Sequence, residues 1–200
     1  MKLGLILECG PDGADKKVCE YVVHRVNDII EIESVTLGDK KTLIENCGLA
    51  AAQLLRDGCH RVVIVWDLYP PWEEDRKSAN CVDDCNQVRT SLAAAGVTSA
   101  RVHLVCVIKM LEAWLLADGH ALSSVLSRPA HRVTIRHTKR TEEIKDPKAR
   151  LKRLFKQTRG YEYEDRTDAI RIIQALPNFN QVRRCPTFSR FVLKATGVTL

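Results

Sequence analysis

The sequence predicts an α/β protein in which helices cover both faces of a parallel sheet. In the first 118 residues, four short apolar runs alternate with four segments whose apolar residues recur at helical spacing. The runs are largely continuous, as is typical of strands that are buried on both faces. The intervening segments are long enough to cross over the sheet, and such crossovers join parallel strands. We therefore expect residues 1–118 to form a three-layer α/β core.

The first two strands are predicted at residues 2–8 and 29–37. The run "KLGLILE" (2–8) is short, apolar and bounded by polar residues. Residues 12–28 follow with Val18, Val22 and other apolar side chains at helical spacing. The stretch "IIEIESVTL" (29–37) alternates apolar and polar residues along much of its length, which predicts a strand. The chain therefore begins with a strand–helix–strand unit.

The third and fourth strands are predicted at residues 60–67 and 100–108. The former, "HRVVIVWD", contains five successive apolar residues before it ends on an acid. A helix with one apolar face is predicted at 42–57 and a weaker one at 78–95. The segment "KMLEAWLLAD" (109–118) is expected to begin a fourth helix.

Residues 119–200 are expected to form a basic loop and helical extension that packs on the core, within a single compact domain. Residues 119–145 have weak periodicity and predict a loop. Asp146 as N-cap and Pro147 at the first helical position begin the next helix. Three helices are thus expected in the extension, at 146–157, 165–176 and 185–195.

Positive charge is concentrated in one part of the chain. The formal net charge is +6, but residues 128–159 hold twelve Lys or Arg against three acids. This asymmetry suggests a basic surface that contacts a nucleic-acid backbone, although a solvated helix-and-loop face would have the same composition. The residues expected to contact nucleic acid are Arg132, Arg136, Lys139, Arg140, Lys148, Lys152 and Arg153.

Several protein classes are excluded by the sequence. No stretch approaches the ~20 apolar residues of a membrane span. The apolar run at the start is short and soon reaches the acidic residue Glu8, which does not fit a secretory signal, so we expect a cytoplasmic protein. Cys81 and Cys85 could supply two zinc ligands, but no second pair with suitable spacing follows. The phosphate loop, the dinucleotide fingerprint, the nucleophile elbow and the HExxH pair are all missing from the sequence.

Acidic residues follow the predicted strands. Glu8 ends the first strand, Asp67 ends the third, and Glu112 lies just after the fourth, while Asp12 and Asp15 follow the first strand in a loop and a first helical turn. In open parallel sheets, ligands bind beyond the carboxyl ends of the strands. Clustered carboxylates are the ligands that Mg²⁺ or Mn²⁺ prefers.

Each acid also has a purely structural interpretation. Asp12 can cap a helix that carries Asp15 in its first turn, and Glu112 can interact favourably with a helix dipole. Asp67 can cap the segment that follows Pro70. Glu8 fits such an explanation least well, because an acid at the end of a buried strand gains little without a partner.

The motifs and their order resemble the TOPRIM fold of topoisomerases, primases and overcoming-lysogenization-defect nucleases. "ECGPD" (8–12), "WDLYPPW" (66–72), "MLEAWLLAD" (110–118), "DPKARLKRLF" (146–155) and "CPTFSRF" (185–191) are similar to segments of a prokaryotic TOPRIM-like family. Members of that family are often encoded beside an AAA-type or ABC-type ATPase in defence loci. The resemblance implies a TOPRIM-like, or Rossmann-like, parallel sheet and touches nearly the whole chain.

The resemblance also assigns site residues. Glu8 matches the TOPRIM glutamate, Asp12 the second acid of nuclease members, Asp67 the first acid of the Asp-x-Asp pair, and Glu112 a later carboxylate. These four acids would hold Mg²⁺ or Mn²⁺. The expected partner acid at position 69 is instead Tyr69. Either one of the acids that follow Pro71 takes its place, or the site binds metal weakly; these acids are Glu73, Glu74 and Asp75.

The function expected from this resemblance is metal-dependent phosphodiester cleavage in DNA or RNA, as the effector of an ATPase-linked defence or toxin system. Glu8, Asp67 and Glu112 would be catalytic, and Lys109 would neutralise charge on the phosphate. Contacts between basic residues and a nucleic-acid backbone would be salt-sensitive and independent of sequence.

Two alternatives involve no cleavage. A degenerate TOPRIM subunit with Tyr69 in place of the acid could bind or regulate a partner ATPase, with Trp72 as a docking residue. The chain could also bind nucleic acid alone. The sequence leaves these alternatives open, as it does the choice between DNA and RNA.

Overall fold

The structure, a computed structural model, describes residues 1–71, 79–98 and 100–200. Its longest helix has 17 residues, and no described helix has the length and apolar character needed to cross a membrane. Short 3-10 turns lie at Thr141–Glu143 and Val182–Arg184, and a π-helical turn lies at Asp165–Ala169. In chain order the main elements are β1 (Lys2–Leu7), α1 (Ala14–Val26), β2 (Glu31–Thr36), α2 (Lys40–Arg56), β3 (Arg61–Asp67), α3 (Cys81–Ala94), β4 (Val102–Val107), α4 (Glu112–Leu115), α5 (Gly119–Leu126), α6 (Pro147–Arg159), α7 (Ile170–Gln174) and α8 (Pro186–Thr196).

The four strands form one parallel sheet in the order β2-β1-β3-β4. Leu3 of β1 pairs with Ile32 on one side and with Arg61 on the other. The predicted parallel α/β sheet is confirmed, and its architecture is consistent with a Rossmann-like fold. The chain leaves β1 in one direction towards β2 and then returns to build β3 and β4 on the opposite side. The resulting switch point between β1 and β3 is where ligands bind in folds of this kind.

Helices cover both faces of the sheet. On one face, Ile6, Ile64 and Trp66 pack with residues of α2 and α3. On the other face, Leu5 and Val65 pack with α1 and with the helices after β4. Neighbouring strand residues point to opposite faces, so each central strand contributes to both cores, which explains the continuous apolar runs in the sequence.

The C-terminal helices share a core with the sheet. Leu151 and Phe155 of α6, Ile172 of α7 and Phe188 of α8 are fully buried in the same cluster as the strand residues of that face. Trp114 of α4 also lies in this cluster and donates a hydrogen bond to Thr187 Oγ1 at 2.9 Å. Residues 119–200 are therefore packed directly against the α/β core.

The segment after β4 differs from the sequence prediction in two places. The helix expected at 109–118 is reduced to α4, because Lys109 has a left-handed backbone with φ of 70° and Asp118 is an N-cap. Residues predicted as loop begin instead with α5, whose first backbone N–H groups donate to Asp118 Oδ1. Gly119 suits this position because a Cβ would lie 2.3 Å from the carbonyl oxygen of Ile135.

The close packing of α2 on α3 depends on Gly48. A Cβ at this position would lie 2.1 Å from the backbone oxygen of Ser91, and the Gly48 N–H donates to Ser91 Oγ at 3.1 Å. We expect Gly48→Ala to lower the free energy of unfolding by about 1–3 kcal/mol, because the helices must separate. Urea denaturation would measure this loss. Leu49→Ala, at an exposed site on the same helix, should change stability by less than ~0.5 kcal/mol, and equal effects of the two changes would contradict the packing argument.

Candidate functional site

A cavity of about 350 Å³ opens at the carboxyl ends of β1 and β3. It lies at the switch point of the sheet, and it is closed on one side by the segment that leads into α4 and on another by α6 and the turn before α7. Its lining includes five acids and two bases. The lining residues are Glu8, Cys9, Gly10, Gly13, Ala14, Asp15, Asp67, Tyr69, Pro70, Met110, Leu111, Glu112, Lys148, Asp165 and Arg166.

Five carboxylates line the cavity: Asp165, which pairs with Lys148, and four others that come from four different segments. Glu8 follows β1 directly and Asp67 is the last residue of β3, so the parallel pairing of these strands brings the two acids to one edge. Asp15 is the second residue of α1, and Glu112 is the first residue of α4. Glu112 is 5% exposed. Burial of this many acids in one place requires a compensating partner.

The electrostatics of the cavity reflect this crowding. Burial and the nearby Asp15 raise the pKa of Glu8 to about 8. Burial also raises the pKa of Glu112 to about 7 and that of Asp15 to about 6. The pKa of Asp67 lies well above its ordinary value because of burial and of the charges on Asp15, Glu8 and Glu112. These groups therefore disfavour one another's ionisation, and a cation among them would reverse that effect.

Glu8 is the carboxylate of the cavity that best fits a cation ligand. Its Oε2 atom is buried and has no hydrogen-bond partner among the described residues. An unsatisfied buried carboxylate oxygen is costly and rare in native proteins. The donors around it are hard oxygens, which are the ligands preferred by Mg²⁺ and Mn²⁺. The residues present thus fit a divalent cation. Within residues 1–71, 79–98 and 100–200, however, the structure contains no group of three or more His, Cys, Asp or Glu side chains whose positions could hold a metal ion.

Positive charge enters the cavity from the C-terminal part of the chain. Lys148, in the first turn of α6, forms an ion pair with Asp165, and its charge opposes the rise in the pKa of Glu112 that burial causes. Arg166 follows Asp165 and also lines the cavity. The Arg166 backbone oxygen accepts a hydrogen bond from Lys17 Nζ at 3.1 Å, which ties this turn to α1. The cavity therefore combines acids from the sheet edge with bases from the extension.

A buried lysine holds the loop that follows β3. Lys40, the first residue of α2, donates to the backbone oxygens of Leu68 and Pro70 at 2.7 and 2.6 Å. Its Nζ lies 3.7 Å from Asp84 Oδ2, and its charge opposes the rise in the pKa of Glu8. Lys40 thus fixes the backbone on both sides of Tyr69.

The structure brings together some of the acids predicted from the sequence and not others. Glu8, Asp67 and Glu112 line the same cavity, whereas Asp12 is exposed and is not among the lining residues. Asp15, three residues further along the chain, lines the cavity instead. Tyr69 lines the cavity at the position of the expected second acid. The acids proposed to replace it, Glu73, Glu74 and Asp75, lie outside the described residues, as does Trp72.

Lys109 and most of the predicted basic residues lie away from the acids. The Lys109 Nζ lies 4.5 Å from the centre of the Tyr69 ring and does not line the cavity. Of the seven residues expected to contact nucleic acid, only Lys148 lines the cavity. The other six are exposed: Arg132, Arg136, Lys139, Arg140, Lys152 and Arg153.

Three charged lining residues were not selected as site residues by sequence reasoning, namely Asp15, Asp165 and Arg166. Asp15 could have been selected from the sequence, because it stands in the first turn of the helix that follows β1. No sequence pattern indicated Asp165 or Arg166, because their approach to the cavity depends on how the extension packs on the sheet. Lys148 was selected from the charge pattern alone, for a backbone contact rather than for a place beside the acids.

Comparison with known proteins identifies a family. A family model described as a domain of unknown function (DUF4276) matches residues 24–194. Glu8 and Asp15 precede the matched range, while Asp67, Glu112 and Lys148 lie within it. No curated protein and no solved structure matches the chain. Because the match spans well over half of its length, the chain belongs to the DUF4276 family of domains of unknown function.

Proposed function

We propose that this protein is a nuclease of TOPRIM type that uses Mg²⁺ or Mn²⁺ to cleave phosphodiester bonds in DNA or RNA. The observation that carries the proposal is the convergence of Glu8, Asp15, Asp67 and Glu112 on one cavity, with the buried Glu8 Oε2 atom unpaired among the described residues. A TOPRIM-like sequence pattern with a glutamate after the first strand and an aspartate after the third supports the same interpretation.

The residues of the cavity have distinct roles in this proposal. The four carboxylates would hold the divalent ion, which when bound supplies Lewis-acid chemistry for phosphodiester hydrolysis. Lys148 and Arg166 would hold the phosphate group, because they are the lining residues that carry positive charge. Asp165 keeps Lys148 in place through their ion pair.

The exposed basic residues supply a surface for the rest of the substrate. Six of them lie on α6 and on the loop before it: Arg132, Arg136, Lys139, Arg140, Lys152 and Arg153. Such residues bind phosphates without regard to base sequence, and their contribution falls as salt is raised. By its TOPRIM resemblance, the protein would act as a cytoplasmic effector beside an AAA-type or ABC-type ATPase in a defence or toxin system.

A second candidate function is a TOPRIM subunit that binds or regulates a partner ATPase or nucleic acid without cleaving it. It is favoured by Tyr69, which occupies the cavity wall where nuclease members carry an acid and which stacks with the Lys109 ammonium. In this case the carboxylates would bind a cation for structural reasons only.

A cleavage panel separates the two candidates. Plasmid DNA, single-stranded DNA and total tRNA are incubated with the protein and Mn²⁺, with and without the product of a neighbouring ATPase gene. We expect at least one substrate to be cut by the wild type and by Asp12→Asn, whose carboxylate is exposed outside the cavity, and not by Asp67→Asn. If the wild type cuts none of them while it still binds Mn²⁺, the second candidate is correct.

A further inference from the structure

A second cavity, of about 500 Å³, lies between the 3-10 turn at Thr141–Glu143 and the start of α8. Its walls come from two parts of the chain that are far apart in sequence. Among the residues that the structure describes, none lines both this cavity and the carboxylate cavity. We call it the basic cavity, because three of the described residues that line it are bases. These lining residues are Lys139, Arg140, Glu142, Glu143, Arg184 and Pro186.

Hydrogen bonds fix the two walls of the basic cavity to each other. Glu142 Oε1 accepts from the Thr187 backbone N–H at 3.0 Å and from the Thr187 hydroxyl. The same hydroxyl accepts from Trp114 Nε1, and Thr141 Oγ1 forms a hydrogen bond with Cys185 Sγ at 3.0 Å. Because Thr141, Cys185 and Thr187 are buried, the positions of the walls are set by the core and require no ligand.

The acids of the basic cavity are engaged, whereas two of its bases are not. Glu142 accepts two hydrogen bonds at the start of α8, where the positive end of the helix dipole also compensates its charge. Glu143 Oε1 lies 3.8 Å from Arg140 Nε, and this pair is weak because both side chains are mostly exposed. Lys139 and Arg184 have no side-chain hydrogen bond or ion pair in the part of the chain that the structure describes. The cavity therefore offers two unpaired positive charges to a ligand.

The segment that leads to the basic cavity carries two more exposed arginines. Val133 and Ile135 pack against the core, and their backbone N–H groups donate to serine hydroxyls of α5 and its C-cap at 3.0 and 2.8 Å. Arg132 and Arg136 alternate with these anchored residues and are exposed. The loop is thus held on α5 with its positive charges towards solvent, which extends the positive surface beyond the cavity.

We propose that the basic cavity binds a phosphate group of a nucleic-acid strand through Lys139 and Arg184. The planar guanidinium of Arg184 can donate two parallel hydrogen bonds to phosphate oxygens, and the Lys139 ammonium adds a compact positive charge. Pro186 gives the wall an apolar surface for the attached sugar. The cavity is as large as pockets that hold small organic groups, about 300–1,000 Å³. The inference rests on the proposed function, which supplies the nucleic acid, but binding here requires no divalent cation.

The test measures the binding of labelled single-stranded DNA and RNA by fluorescence anisotropy, with a chelator present and salt varied from roughly 50 to 200 mM. Arg184→Gln is compared with Arg183→Gln, which removes the same charge from the neighbouring exposed residue that does not line the cavity. We expect Arg184→Gln to weaken the Kd roughly 5- to 10-fold at the lowest salt. It should also reduce the slope of log K against log salt by about 0.7, the share of one phosphate contact. Arg183→Gln should change the Kd by less than ~2-fold.

Equal weakening by Arg183→Gln and Arg184→Gln would overturn the proposal, because it would reveal a diffuse charge effect in place of a site. Inorganic phosphate at constant ionic strength tests for a small-anion site. If it raises the unfolding temperature of the wild type but not of Arg184→Gln, while both proteins bind the strands equally, the cavity takes free phosphate and the proposal is wrong.

The same variants separate this proposal from the nuclease. If Arg184→Gln weakens binding but the wild type cuts no substrate with Mn²⁺, the basic cavity stands and the nuclease is wrong. If Arg184→Gln binds and cuts as the wild type does, the nuclease stands and the role of the basic cavity is wrong.

Discussion

Glu8→Gln is expected to stabilise the cation-free protein at pH 8 and to leave its stability nearly unchanged at pH 5. The reason is that burial, and after it the charge of Asp15, raises the pKa of Glu8 from 4.5 to about 8. Each pKa unit corresponds to about 1.4 kcal/mol, so ionising this group in the folded protein costs on the order of 5 kcal/mol. The neutral amide of glutamine avoids that cost and keeps the shape of the side chain.

The sign of the pH dependence follows from proton uptake. Between pH 4.5 and 8 the folded protein keeps a proton on Glu8 that the unfolded chain has already lost, so the folded state binds more protons. The free energy of unfolding of the cation-free wild type must then fall as pH rises through this window. Glu112 and Asp15, whose pKa values are also raised, add to the fall at the lower end of the window.

Thermal unfolding at pH 5, 6, 7 and 8 in the presence of a chelator measures both effects. For a chain of this size about 1 kcal/mol corresponds to 2–4 °C, so Glu8→Gln should unfold roughly 10 °C above the wild type at pH 8. Asp12→Asn is the matched control, because this exposed acid lies outside the cavity, and it should follow the wild-type profile. A wild type that becomes more stable from pH 5 to 8 would show that the acids of the cavity do not oppose one another.

Much of the fold could be predicted from sequence because its signals are local. The run from Val62 to Trp66 shows a strand that is buried on both faces, and the alternation of strands with helices fixes parallel pairing. With the pairing known, the positions of Glu8 and Asp67 at one edge follow from geometry. Asp146 and Pro147 likewise predict the start of α6. The structure confirms this start, because the Asp146 side chain accepts a hydrogen bond from the Ala149 N–H.

The rest of the site depends on contacts between distant parts of the chain. The helical pattern of α6 does not predict the ion pair between Lys148 and Asp165, because that pair forms only when both segments pack on the sheet. Tyr161 and Tyr163 stand in the same short sequence segment, yet Tyr163 is buried and Tyr161 is exposed. The choice between Asp12 and Asp15 depended on where α1 begins, and a start at Ala14 leaves Asp12 exposed in the preceding turn.

The second large effect expected is the response to a divalent cation, which should oppose the destabilisation at high pH. Mn²⁺ that binds only the folded state at a free concentration of 100 Kd stabilises it by about 2.7 kcal/mol. The wild type at pH 8 should therefore unfold roughly 5–10 °C higher with Mn²⁺ than with a chelator. At pH 5 the shift should be smaller, because the carboxylates must lose their protons before they can bind the cation.

Asp67→Asn should remove this shift, because Asp67 lines the cavity and its pKa is raised by burial and by the charges of all three other acids. Asp12→Asn should keep it. Thermal unfolding with Mn²⁺, with Mg²⁺ and with a chelator measures the response of each variant at the two pH values. A wild type that is indifferent to both ions at pH 8 would overturn the cation site and with it the nuclease. A shift of equal size in Asp67→Asn would mean that the cation binds elsewhere, because a cation held by the four crowded carboxylates must relieve the repulsion that Asp67 shares with the other three.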